Sequence, residues 1–294
     1  MESTAYETKP KTYKKKSQWF EVWKRLRRSK LAMAGLIILV ILLIAALLAN
    51  VIAPYEYDKQ DLRSTFQTPS KNHIFGTDEF GRDIFSRIIY GARISLQVGF
   101  IAVGIAVVVG GILGAVSGFY GGIIDNAVMR AMDIFLAIPS LLLSIAIAAA
   151  LGPGLGNLMI AVGISSIPRY ARIVRASVLS ISKQEFIEAA KAAGSSDVRI
   201  IFKHIIPNSL APIIVQATIG VASAILTAAG LSFIGLGIQP PIPEWGAMLS
   251  SGRAYIRDYP YMTIFPGLFI MITILSLNLL GDGLRDALDP KLKN

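Results

Sequence analysis

Two histidines, His73 and His204, are the only imidazoles in the 294 residues, and there is no cysteine. Thiolate chemistry is therefore excluded, and a disulfide framework with it. His73 lies five residues before Asp78, so metal ligation by that pair and an ordinary structural histidine are both open readings. No H-E-x-x-H occurs, which removes the usual zinc hydrolase arrangement. Arg82 beside Asp83 offers ion-pair chemistry. Arg169, Arg172 and Arg175 recur every third residue, on one face of a helix. They suit either an anion or the headgroup layer of a membrane. The closely spaced glycines of 152–157 follow no strand, so a dinucleotide-binding turn fails on context, and no G-x-x-x-x-G-K-[ST] loop is present to hydrolyse ATP.

What must hold these residues is membrane-like. The chain is 53% hydrophobic and 16% charged, whereas a soluble domain is about a quarter charged. Apolar runs of about twenty residues, long enough to cross a bilayer, are expected at 31–53, 94–119, 132–151, 158–175, 209–235 and 261–280. The first is too long for the core of a cleaved signal peptide. Pro139 should kink the third, after a short turn at 120–130. Gly110, Gly114 and Gly118, spaced by four, are expected to let a neighbouring helix approach closely. No span carries an ionisable residue near its middle, which argues against a proton relay.

The basic residues sit at span ends. With six spans and both termini in the cytoplasm, inner segments hold 21 Lys and Arg and outer segments eight, as the positive-inside rule requires. That distribution favours the bilayer over nucleic acid as the partner of the net charge of +10. It also puts His73 and His204 on opposite sides, so a two-histidine site or a serine–histidine–carboxylate triad has little to draw on. Residues before the first span are expected to be disordered, then to form an amphipathic helix at 18–29 anchored by Trp19, Phe20, Val22, Trp23 and Leu26.

Between the fourth and fifth spans lies FIEAAKAAGSSDVRIIFKHIIPN, residues 186–208. Good helix formers at 185–193 predict a short helix, ended by Gly194 in the left-handed region. Ser195 or Ser196 can cap a second helix with Asp197 in its first turn. Val198, Ile201, Phe202, Ile205 and Ile206 give that helix an apolar face. Pro207 is expected to stop it, with Asn208 or Ser209 capping the fifth span. The result is a two-helix elbow projecting from the membrane.

This segment resembles the coupling segment of ABC importer permeases, at Glu188, Ala189, Ala190, Gly194, Ile205 and Pro207. The stretch 73–96 resembles a signature of the C-type subunit of dipeptide and oligopeptide permeases, including His73, Gly76, Thr77, Asp78, Gly81, Arg82, Asp83, Ser86 and Arg87. Gly121, Gly122, Asp125, Asp133 and Pro139 fit the same family, as do the proline-rich turn around Pro240, Pro241, Pro243 and Trp245 and the ending at 278–290.

The resemblance covers residues 18–290. It implies an all-α polytopic protein with six transmembrane helices and the ABC transporter type-1 permease fold. The implied division is a basic cytoplasmic segment 1–30, a first span 31–53, an extracytoplasmic loop 54–92, a five-helix domain 93–283 containing coupling segment 183–207, and a cytoplasmic tail 284–294. It further implies a non-catalytic subunit of a prokaryotic cell membrane that binds no cofactor or metal, while partner ATPases use ATP and Mg. The implied partners are a homologous second permease subunit, two cytoplasmic ATPases and an extracytoplasmic substrate-binding protein. The implied cargo is di- or oligopeptides, with nickel, glutathione or another small solute as the alternative. Glu188 would orient the coupling segment, Ala189 and Ala190 would allow close docking, and Gly194 would supply the bend. The arginine face around Arg169 could also touch the ATPase. Gln216, Thr227, Ser232 and Asn278 are candidates to line the path, since polar groups in a span need partners or water.

Overall fold

The computed structural model describes residues 18–289. The segment expected to be disordered, and Pro290 of the ending, lie outside them. Helix α1 (Gln18–Leu26) buries Leu26 and leaves Trp19, Phe20 and Trp23 exposed. It stops three residues short of the expected end because Ser29 caps the next helix, its hydroxyl accepting from Ala32 N at 3.3 Å. Helices α2 (Lys30–Leu47) and α3 (Ala49–Ile52) make the expected first span.

Helix α4 (Ile84–Tyr120) begins ten residues before the span predicted from hydropathy. Its start is set by Asp83, whose carboxylate accepts from Ser86 N at 2.8 Å. A side-chain acceptor at that position satisfies one of the donors a helix start leaves free. Residues 122–130 are helical too, in α5 (Gly122–Ala137), because the turn is confined to Gly121 and Gly122, with φ +64° and +55°. Pro139 does more than kink the third span. It holds Ile138 in an extended conformation, as residues before proline prefer, and α5 meets α6 (Ser140–Leu151) at 89°.

Helix α7 (Leu155–Ile181) carries the three arginines. The elbow consists of α8 (Glu185–Ala192), α9 (Asp197–Ile200) and a π turn at Ile201–Ile205 that runs straight into α10 (Ile206–Phe233). Pro207 therefore does not stop the helix. It sits in the first turn of α10, where a missing N–H costs least, and the π turn before it is closed by Ile206 N donating to Ile201 O. Asn208 and Ser209 do not cap either: each donates back to the carbonyl four residues earlier, His204 and Ile205. Helices α11 (Trp245–Gly252) and α12 (Tyr261–Leu288) complete the chain.

Among the described residues, four helices are long and apolar enough to cross a membrane, or five if the bent α5–α6 pair is one span. The fourth expected span, α7, has the length, at 27 residues, but carries Arg169, Arg172 and Arg175. The main core joins α2, α4, α7, α10 and α12. The glycine stripe faces α7: a methyl group on Gly110, Gly114 or Gly118 would stand 2.7, 2.3 and 2.9 Å from the carbonyl oxygens of Ile167, Ala171 and Arg175. Ser144 of α6 donates to Ser165 of α7 at 2.7 Å.

Candidate functional site

Two regions carry the residues singled out by sequence, at opposite ends of the helices. At the first, the elbow, α8 ends in a Schellman turn: Gly194 N donates to Lys191 O and Ser195 N to Ala190 O. Gly194 has φ +74°, the left-handed conformation that glycine enters without strain. Ile187, Ile200, Ile201 and Ile205 form a second core with Ala115 of α4 and Val174, Val178 and Ile181 of α7. Ala190 and Phe119 pack at its edge, and the Lys191 ammonium lies 5.3 Å over the Phe119 ring.

Only part of the predicted apolar face is buried. Val198 and Phe202 are 64% and 67% exposed, while Ile200 is fully buried. Glu188, Ala189 and Gly194 are exposed as well. The elbow thus has a buried apolar floor and an outward surface with a carboxylate, small residues and two large apolar side chains.

At the other end, the loop before α4 folds into a buried platform. Thr77 Oγ1 donates to Ser64 O and accepts from Gln67 N at 2.8 Å. Gly76 and Gly81 have φ +80° and +70°, and a methyl group at Gly81 would stand 1.8 Å from Asp61 O. Asp78 accepts from Phe80 N and Arg82 N at 2.9 Å and from Arg82 Nε at 2.6 Å. Arg87 Nε is 3.7 Å from the same carboxylate, and its Nη1 donates to Tyr57 O at 2.8 Å.

Arg82 thus pairs with Asp78, not with its neighbour Asp83, and the pair is buried instead of open at a mouth. Asp83 takes His73 Nδ1 at 2.9 Å while it caps α4. His73 therefore faces Asp83, not Asp78, and no group of three or more potential ligands among the described residues could hold a metal ion.

Glu79 lies 3.5 Å from Arg82, and its Oε2 is buried without a hydrogen-bond partner among the described residues. Burial pushes its carboxyl above the ordinary 4.5, with Asp78 adding to the rise against backbone hydrogen bonding and Arg82. A raised folded-state value favours the neutral form, so its contribution to stability is full below the ordinary carboxylate range and is lost as pH rises through the displaced value. Glu79→Gln should remove that loss, giving a flatter dependence of thermal unfolding on pH as pH rises above the ordinary carboxylate range. An unaltered slope in the variant would count against this assignment.

The turn before α11 is fastened by a residue that sequence reading passed over. Glu244 is 1% exposed. It caps α11 by accepting from Gly246 N and Ala247 N at 2.9 Å, and Ser95 of α4 donates to it at 3.4 Å. Its signal was weak, because glutamate is not a favoured capping residue. Trp245, from the proline-rich turn, is fully buried, with Nε1 donating to Ile88 O at 3.1 Å.

The polar positions of the spans are dispersed. Gln216, with its amide oxygen turned to satisfy both groups, accepts from Arg169 at 3.2 and 3.3 Å. It lines a cleft of about 560 Å³ between the elbow ends of α7, α10 and α12. Thr227 bonds back to Ser223 O, and Ser232 is buried beside Gly237. Asn278 is half-buried on α12. Arg172 and Arg175 do not offer a free anion site: they pair with Asp133 and Asp125 of α5 at 2.5 Å. Those aspartates stand eight apart on one helix and the arginines three apart on another, so the spacing of neither points to the other.

The comparisons with known proteins bear on both regions. Residues 106–294 match the family model described as binding-protein-dependent transport system inner membrane component. The chain belongs to this family. Residues 17–69 of this permease match a second model, the N-terminal TM domain of oligopeptide transport permease C.

A dipeptide transport system permease protein, DppC, of Alkalihalophilus pseudofirmus is 53% identical over 278 residues, 95% of this chain and 91% of that protein. A glutathione transport system permease protein, GsiD, of Escherichia coli is 46% identical over 279 residues, 95% and 92% of the two chains. Among solved structures, an inward-facing MetNI methionine ABC transporter superposes with TM-score 0.55 at 21% identity, over 70% of this chain and 98% of that one. An amino acid ABC transporter gives 0.53 at 18% identity, over 69% and 94%. The two structures share the helical permease fold, and membrane transport is the business of the family.

Proposed function

We propose that this permease is the membrane subunit of an ATP-driven importer of di- and oligopeptides, forming half of the path and driven through segment 183–207 by a separate ATPase. The observation that carries the cargo is the 53% identity with the DppC dipeptide permease across 95% of the chain. The drive is argued from the elbow. A helix pair with its own core, presenting Glu188, Val198 and Phe202 outward, has the form of a rigid plug for a groove in another protein.

The partners of this reading are a homologous second permease subunit, two ATPases that use ATP and Mg, and a substrate-binding protein over the platform at 54–83. The chain itself needs no cofactor and performs no catalysis. Its six spans count α5–α6 as one and α7 as another, within a permease domain 93–283. Both termini and the elbow face the cytoplasm of a prokaryotic cell, and Gln216, Thr227, Ser232 and Asn278 border the path. Glu188 orients the elbow, and Gly194 holds its bend.

Gly194→Val tests the reading. A β-branched residue in the left-handed region costs about 1–3 kcal/mol, here set against the Schellman turn, while no atom lies near the added methyl group to disturb the bundle. Membrane insertion should stay normal, and uptake of dipeptides by vesicles holding the whole transporter should fall. Normal uptake would sink the elbow's role. Glutathione taken up in preference to dipeptides and longer peptides would overturn the cargo.

A further inference from the structure

Helix α5 is poorly embedded for its length. Of its 16 residues only Met132 is buried, and Ile123 and Ile134 are 87% and 70% exposed. Between it and the α4–α7 body lies an apolar cavity of about 190 Å³, bordered by Val109, Leu113, Met132, Phe135, Ile164 and Ile167. The cavity is partly open, and its width leaves few apolar contacts to fix where α5 rests.

Charge fixes it. Asp125 accepts from Arg175 Nε and Nη2, both at 2.5 Å, and the Ser117 hydroxyl of α4 donates to the same carboxylate. Two turns further along, Asp133 accepts from Arg172 at 2.5 Å. A bidentate arginine–carboxylate pair sets direction as well as distance. Helix α7 supplies both arginines, and its next residues, Val174, Val178 and Ile181, are part of the elbow's floor. Arg175 is flanked in sequence by the side chains on which the elbow rests.

We propose that Asp125 and Arg175, seconded by Asp133 and Arg172, are positioning residues that carry the elbow's displacement into α5. The cavity, at Met132 and Phe135, gives the Pro139 end of α5 room to swing while its Asp125 end stays held to α7. The far end of α5 is the 89° break at Pro139, beyond which α6 is separately tied to α7 through Ser144 and Ser165. A movement delivered at Asp125 therefore changes the angle at that break, which alters the shape of the helix layer without unpacking the core. The inference rests on the elbow being the ATPase dock.

The test uses the complete transporter, with its ATPases and binding protein, in proteoliposomes, and reads peptide imported per ATP hydrolysed. Asp125→Asn and Arg175→Gln are each expected to lower that ratio about tenfold, and Asp133→Asn about twofold, because the second pair is half-exposed and screened. Exchanging the charges, Asp125→Arg with Arg175→Asp, should bring the ratio back to within about threefold of the parent. Spin labels at Ile123→Cys and Ser180→Cys should keep a constant separation between ATP-free and ATP-bound states in the parent, and lose it in Asp125→Asn.

An unchanged ratio in Asp125→Asn, or an exchange no better than the single variants, would overturn the proposal. So would variants that no longer copurify with the ATPases, since the pair would then serve assembly alone. A cross-link from the elbow to the ATPase separates the two levels. If the parent fails to form it, the proposed function falls; if both parent and Asp125→Asn form it and transport per ATP is equal, only this inference does.

Discussion

Asp78→Ala is expected to cost the fold about 3–5 kcal/mol, the range for removing one partner of a buried ion pair. Arg82 and Arg87 are 3% and 5% exposed, and Asp78 faces both. With the carboxylate gone, Arg82 keeps only Glu79 at 3.5 Å, and two buried guanidinium groups face each other with less than their compensating charge. The backbone is affected too, because Asp78 also holds Phe80 N and Arg82 N, which close the turn that Gly81 makes. Loss of that turn frees Asp83 to leave the start of α4. Thermal unfolding of the purified protein in detergent measures the cost. Adding Arg82→Met to Asp78→Ala should recover part of it, because an apolar replacement of both partners leaves fewer charges buried and unpaired. A single variant within about 1 kcal/mol of the parent would mean that the platform tolerates an uncompensated arginine.

The second large effect is expected along the α4–α7 contact. Gly114→Ala should cost about 2–3 kcal/mol, towards the top of the range for overpacking. The new methyl group would stand 2.3 Å from Ala171 O and 2.9 Å from Arg175 N, which are backbone atoms that move only if α7 moves. Moving α7 strains the Asp125–Arg175 pair as well. The same helix supplies its own controls. Nothing lies within 4 Å of a methyl group placed on Gly104 or Gly111, so alanine at those positions should be neutral or mildly stabilising. Resistance to denaturant, compared across the three variants, separates close approach from a general intolerance of α4 to substitution. Equal losses at all three would rule out close approach as the cause.

Much of the elbow was readable, and the part that was not has one cause. Gly194 announces itself, since a run of helix formers followed by glycine has few other solutions. The buried face was predicted wrongly at Val198 and Phe202 because a 3.6-residue period was carried across residues 201–205. There the π turn inserts extra chain and shifts the phase, which brings Ile200 inward and turns Phe202 out. Pro207 was read as a stop by its usual behaviour, yet a proline in the first turn of a helix interrupts nothing.

In the platform, Arg82 and Asp83 adjoin in sequence and part in space. The turn at Gly81 brings Asp78 back to Arg82, while Asp83 looks the other way, to His73 and α4. The arginines of α7 were legible as a stripe but not as pairs, because a stripe shows its own spacing and not the helix that will face it. The first span, the glycine contact and the membrane class came directly from composition and period. The bend at Pro139 was foreseen in place, but its size depends on how α6 is fastened to α7.

Because the π turn carries the chain past Pro207 without a break, residues from Asp197 to Phe233 form one strut of 37 residues, about 55 Å long at about 1.5 Å per residue. One tip is inside the elbow, and the other ends beside the turn that Glu244 fastens. The π turn, Pro207 and Pro212 all lie in the strut's lower half, so any give is near the foot and the length above moves as one piece. Whatever pivots it near mid-membrane must swing its head the opposite way, so a single stiff part is enough to pinch one mouth while spreading the other.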